Sequence, residues 1–129
     1  MLWMIIRILI KLDITQVNIK NKVMITKEEF INLCLMGRSD NNNDIALALS
    51  IIGNDNISIK HKILFHLIRK PIPEEVLKNV DLSKIYIELR SHFSAIRQMG
   101  IRDYAEFNMS VEEYIKIAEP KIDNYLSND

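Results

Sequence analysis

Thr26-Lys-Glu-Glu-Phe-Ile-Asn-Leu-Cys-Leu-Met-Gly37 begins with a residue that caps helices and ends with one that terminates them. Thr26 and Glu29 stand three apart, the spacing of a capping box, in which each side chain satisfies the other residue's backbone N–H. Ile25 and Phe30 flank the cap at the positions of a hydrophobic staple. The stretch predicts a helix over 27–36 that stops at Gly37. The same punctuation recurs further along. Ser110-Val-Glu-Glu113 repeats the box with Met109 and Tyr114 as its staple, and Pro73-Glu-Glu75 puts proline at a first helical position. Each such cap is worth about 1 kcal/mol.

Outward from Gly37, the polar run Arg38-Ser-Asp-Asn-Asn-Asn43 reads as a turn, with Ser39 the expected cap of a helix over 40–52. Ile45, Ala48, Leu49 and Ile52 recur there at helical spacing, and Gly53 ends it. Ser58 caps a third helix to about residue 70. Ile59, Ile63, Phe65, Leu67 and Ile68 make it apolar nearly all round, which predicts a central position. Pro71 ends it. A short helix over 73–80 precedes a long one over 82–99, with Asp81 as its expected cap. Leu82, Ile85, Leu89, Phe93 and Ile96 form its apolar stripe, and Lys84, Glu88, Ser91 and Arg97 are expected to face water. Gly100 closes it. A short turn through Tyr104 and Phe107 leads to a last helix over 111–126, which Pro120 is expected to kink or split. The fold class predicted is all-α, a compact bundle of five or six helices.

The chain has 129 residues, enough for one domain to bury a core without disulfides or metals. Its hydrophobic share of 48% and charged share of 26% exclude a disordered or fibrous class. The single cysteine, Cys34, has no intramolecular disulfide partner and lies among Ile31, Leu33, Leu35 and Met36, so a core role is expected. Ile, Asn and Lys occur 23, 12 and 11 times, and their AT-rich codons point to an AT-rich genome: a low-GC bacterium, a phage or another virus.

Formal net charge is zero but unevenly spread. Residues 60 to 102 carry nine basic and four acidic side chains, whereas residues 103 to 129 carry two and seven. That asymmetry fits either an anion-binding centre with an acidic tail or two parts of one fold that neutralise each other.

Residues 1–23 stand apart from the helical domain over 24–129. Residues 1–12 are strongly apolar, but about half the length of a membrane span and interrupted by Arg7. They lack the positive leader and small-residue cleavage site of a signal peptide. A strand or extra helix on the core, an interfacial anchor, and an extension before a start at Met24 are the three readings.

Catalytic signatures are weak. The paired acids Glu28/Glu29, Glu74/Glu75 and Glu112/Glu113 all fall in first helical turns, where carboxylates offset the helix dipole. Adjacent residues on a helix also point about 100° apart and do not converge on one substrate. His61, His66 and His92 lack metal-ligand spacing, and His66 and His92 read as packing residues. Gly37, Gly53 and Gly100 sit singly at helix ends, so there is no phosphate-cradling loop. The chain is expected to be non-enzymatic, with no cofactor and no metal site.

The helix-turn-helix run from Phe30 through Gly37-Arg-Ser-Asp40 to Ile52 and Gly53 resembles HEAT-like helical pairs of uncharacterised Bacteroidetes and tailed-phage proteins. The resemblance covers residues 24–70 and implies a packing unit without chemistry of its own. Residues 62–102 also look like part of a winged-helix domain, with Lys84 onward as the recognition helix. Its opening turns hold Ile85, Tyr86, Ile87 and Leu89, and no wing hairpin follows Gly100.

Function is therefore expected through protein–protein interaction, with another protein or by self-association, as a phage or viral structural or accessory protein. DNA binding through residues 62–102 is the alternative, and membrane association is not expected. Lys84, Arg90 and Arg97 form the basic row best suited to an acidic partner. The expected location is the cytoplasm, or the host cytoplasm or virion for a phage-encoded chain.

Overall fold

The computed structural model describes residues 2–16 and 24–127. Among them the order is α1 (Leu2–Gln16), α2 (Lys27–Met36), α3 (Asn42–Ile52), α4 (Ile59–Ile68), α5 (Glu74–Leu77), α6 (Ser83–Gln98), a 3-10 turn (Tyr104–Glu106) and α7 (Val111–Ser127). No strand occurs among the described residues, and the fold is all-α. The count reaches seven because the apolar N-terminal segment is itself helical.

The capping signals decide most helix starts. At α2 both halves of the box form: Glu29 N donates to Thr26 Oγ1 at 3.1 Å and Thr26 N to Glu29 Oε1 at 2.9 Å. Ser58 Oγ accepts from His61 N, and Ser110 Oγ from Glu113 N. Two expected caps are corrected. At α3 the cap is Asn41, whose side chain accepts from Asn43 N; Ser39 instead accepts from Asn41 N, bracing the turn before it. At α6 the backbone cap is Leu82, while the Asp81 carboxylate reaches past it to Ser83 N and Ser83 Oγ.

α4 is the centre, packing against α2, α3, α6 and α7. Ile63, Leu64, Phe65, Leu67 and Ile68 are buried on it, and only the partly buried His66 interrupts the apolar surface of its second half. Cys34 is a buried core residue, and burial pushes its thiol well above the ordinary range. The α2–α4 crossing is close because Gly37 has no side chain: a Cβ there would stand 2.9 Å from the Phe65 ring.

α6 ends in a Schellman motif, with Ile101 N donating to Ile96 O and Gly100 N to Arg97 O. Gly100 has φ 80°, so Gly100→Ala is expected to cost about 1–2 kcal/mol. A urea titration giving a loss below a few tenths would show that the turn relaxes.

Pro120 does not split α7, which runs unbroken through it. The carbonyl left without a partner belongs to Lys116, and both residues lie on the exposed side, where water replaces the lost bond. The start of α7 is tied down by Tyr114, which is buried and donates its hydroxyl to Arg102 O.

α1 lies on α2. Ile5 and Ile8 enter the core, and Lys11 Nζ meets Glu29 Oε1 at 2.7 Å. Glu29 is 1% exposed, which the sequence reading, treating it only as a cap residue, did not foresee. Burial pushes its carboxyl upward, but the Lys11 contact and the Thr26 hydrogen bonds outweigh that and hold it below the ordinary value.

Candidate functional site

The N-terminal ends of α2 and α4 lie beside one face of α7 and enclose an open groove of about 500 Å³. Ile115, Glu119 and Asp123 recur every four residues along α7 and so line one side together, with Leu126 beyond them. Ile25 and Phe30 contribute from the start of α2, and Ser58, Ile59, Lys60 and His61 from the first turn of α4. The floor is apolar and the rim charged. Lys60 Nζ stands 3.4 Å from Glu119 Oε2 and 3.3 Å from Asp123 Oδ1. Lys27 reaches Glu112 at 3.6 Å, both more than half exposed, a pair worth little. The two Lys60 contacts are where the basic middle and acidic end of the chain meet.

His61 packs against Phe30 with the rings tilted by 55° and their centroids 4.7 Å apart, and its Nδ1 lies 2.7 Å from Ser58 Oγ. Ser58 Oγ also accepts from His61 N, so one hydroxyl meets both the ring and the backbone of the first turn. Ser58 and His61 are the N-cap and third residue of α4, the spacing of a capping box with histidine in place of glutamate. The pair was legible in the sequence as Ser-x-x-His, but only the fold places it in a groove. Its geometry is that of a cap: the serine oxygen accepts from the His61 backbone N–H, and the ring closes against the same hydroxyl.

Burial, reinforced by Lys60 and opposed by Glu119 and Asp123, lowers the His61 pKa to about 4. Burial with Arg69 and Arg97 does the same to His66, which stacks on Phe93 at 4.4 Å. Between pH 4 and the ordinary value of 6.5 the unfolded chain binds protons that the folded chain refuses. Stability is expected to be unaffected by these groups above pH 6.5 and to fall as pH drops toward 4, by up to about 1.4 kcal/mol per pH unit for each histidine. Urea midpoints measured across that window check this, and His66→Leu should flatten the slope.

The basic row expected from sequence lies on α6. Arg90 and Arg97 are exposed seven residues apart on one face, and neither is in an ion pair among the described residues. The Lys84 side chain lies outside the described residues. Ser91 faces water as expected, but Glu88 does not belong with it: Glu88 Oε2 takes Lys62 Nζ at 2.8 Å, and Lys62 is 2% exposed. Sequence reading missed this pair because a lysine on an apolar helix carries no sign of its partner. Beyond α6, a shallower hollow of about 450 Å³ lies between Arg97, Gly100, Arg102, Asp103 and Glu106.

The third feature is α1. Its outward side carries Trp3 at 74% exposure, Ile10 at 51% and Leu9 at 41%. Among the described residues no group of three or more His, Cys, Asp or Glu is placed to hold a metal ion, and no helix is long and apolar enough to cross a membrane. No protein-family model, no curated protein and no solved structure matches the chain.

Proposed function

We propose that this chain is a non-enzymatic helical protein that acts by binding another protein, and that the groove between α2, α4 and α7 receives the partner. The observation that carries the reading is the groove itself, an apolar floor inside a charged rim, which is how protein interfaces are built. Its volume suits one or two bulky side chains from a partner helix or strand. Mixed charge on the rim, with Lys27 and Lys60 beside Glu119 and Asp123, favours a partner segment carrying both signs. The packing of α2 on α3, with α4 against both, supports taking residues 24–70 as a HEAT-like unit that presents one wall of the groove. The abundance of Ile, Asn and Lys, residues with AT-rich codons, fits a phage or bacterial accessory protein.

Peptides selected on the purified protein test the reading. Bound peptides are expected to carry bulky apolar anchors and to lose at least about tenfold in affinity, about 1.4 kcal/mol, against Ile59→Arg and Leu126→Arg. Both positions are only partly buried but pack against the core, so far-ultraviolet circular dichroism is used to verify that each variant keeps its fold. Equal affinity for these variants and the parent would remove the groove from the proposal. The basic row has its own check: neutralising Lys84, Arg90 and Arg97 together weakens binding of an acidic partner if that row takes part, and unchanged binding excludes it.

DNA binding is the second reading. Ser83, Ile87, Arg90, Ser94 and Arg97 share the outward arc of α6, an arc without a carboxylate. Fluorescence anisotropy with a short duplex at low salt decides it: a rise that salt abolishes supports a phosphate-facing helix.

A further inference from the structure

α1 is apolar on two opposite sides, and only one side is packed. Ile5 and Ile8 point into the bundle at 5% and 0% exposure. On the other side Trp3, Ile6 and Ile10 follow one another at intervals of three and four residues, with Leu9 on their flank. That interval is the spacing of a helix–helix seam. A helix with apolar residues all round is normally buried. Here α1 rests on α2, Ile6 is half-buried, and Trp3 and Ile10 are the open ends of the second seam.

We propose that a second copy of this chain covers that seam, the two α1 helices packing antiparallel about a two-fold axis near Ile6. Trp3 and Ile10 are seven residues apart, about 10.5 Å along the helix. A two-fold axis midway between them sets Trp3 of each copy over Ile10 of the other, a self-complementary match of one large and one branched side chain at both ends.

The placement of Lys11 favours a second copy over a lipid surface. Helices that lie on anionic membranes turn their Lys and Arg outward to the headgroups. Here Lys11 is turned inward to Glu29 Oε1 at 2.7 Å, and Arg7 Nε lies 4.0 Å from Glu29 Oε2.

The area is adequate. Trp3, Ile6, Leu9 and Ile10 expose on the order of 400 Å² of apolar surface, the size of patch that is commonly functional. At the ~65% apolar share of homodimer interfaces this corresponds to about 600 Å² per copy, about 1,200 Å² in all, the lower bound for a stable pair. The pairing is therefore concentration-dependent.

Trp3 is the chain's only tryptophan, so its emission reads the seam directly. The full chain is examined by light scattering and Trp3 fluorescence over about two decades of concentration, beside the variant Ile10→Glu and with vesicles of phosphatidylglycerol and phosphatidylcholine. The expected result is a doubling of mass accompanied by a blue shift, with Ile10→Glu weakening the pair at least about tenfold. Ile10 faces solvent, so this variant keeps its fold, which far-ultraviolet circular dichroism verifies. A monomer at every concentration overturns the proposal, as does a dimer that survives Ile10→Glu with solvent-exposed Trp3 emission. A blue shift caused by vesicles alone also overturns it, in favour of a lipid surface.

Discussion

Phe65→Ala is expected to destabilise the protein by about 3–5 kcal/mol, a large part of the ~5–15 kcal/mol that holds a domain together. Phe65 is 2% exposed on the central helix and fills the space left by the missing Cβ of Gly37. Its loss removes the ring's transfer energy and leaves a cavity walled by two crossing helices, which close only as far as their other contacts permit. In urea the midpoint should fall by roughly 2 M at unchanged slope. The partner position gives a sharper test. Gly37 has φ −68°, an ordinary helical value, so alanine there meets no backbone strain, only the Phe65 ring at 2.9 Å and Arg69 Cβ at 3.3 Å. Gly37→Ala alone is expected to cost about 1–3 kcal/mol through overpacking. With Phe65 already cut to alanine, the same change should become neutral or stabilising by up to about 1 kcal/mol, because it then only restricts the unfolded chain. Effects that add within about 0.5 kcal/mol would mean the two groups do not press on each other.

The second large effect is an asymmetry between two partners. Glu88→Ala is expected to cost about 3 kcal/mol because it leaves the Lys62 ammonium, at 2% exposure, without the carboxylate it meets at 2.8 Å. The figure is at the low end for a broken buried pair because Glu88 itself is 36% exposed and water reaches its side. Lys62→Met should be neutral or stabilising by about 1 kcal/mol, since an apolar chain of similar length removes the buried charge altogether. The double variant should then resemble Lys62→Met rather than Glu88→Ala. Equal losses for both single variants would indicate that the lysine contributes packing that methionine does not reproduce.

These sites mark where sequence reasoning stops. The helix starts at Thr26, Ser58 and Ser110 were legible because a cap is a contact between residues three apart, and local spacing specifies it. The end of α6 was legible at Gly100 for the same reason. Local reasoning was weaker where two residues compete for one role: Asn41 took the cap expected of Ser39 because the two side chains divide the turn between them. That Pro120 does not split α7 was not legible, because the exposure of its neighbours, which supplies water to the freed carbonyl, belongs to the whole fold.

The candidate site depended still more on distance along the chain. Each residue of the groove reads alone as a cap, a staple or an amphipathic face, and nothing in the sequence says that residues 25–30, 58–61 and 115–126 meet. Arg90 and Arg97 were predictable as an exposed row, since a period of seven is local. The partner of Glu88 was not, since Lys62 lies 26 residues away on another helix. Residues 1–12 were recognisable as apolar, but which of them face α2 and which face outward is set by the contact with Glu29 and the core. By itself the sequence determined that this chain is helical and where most helices begin and end, because capping and periodicity act within a few residues. Only the tertiary structure decided which charges are buried, which apolar faces remain open and where a groove forms, because those follow from helices that are distant in sequence and adjacent in space.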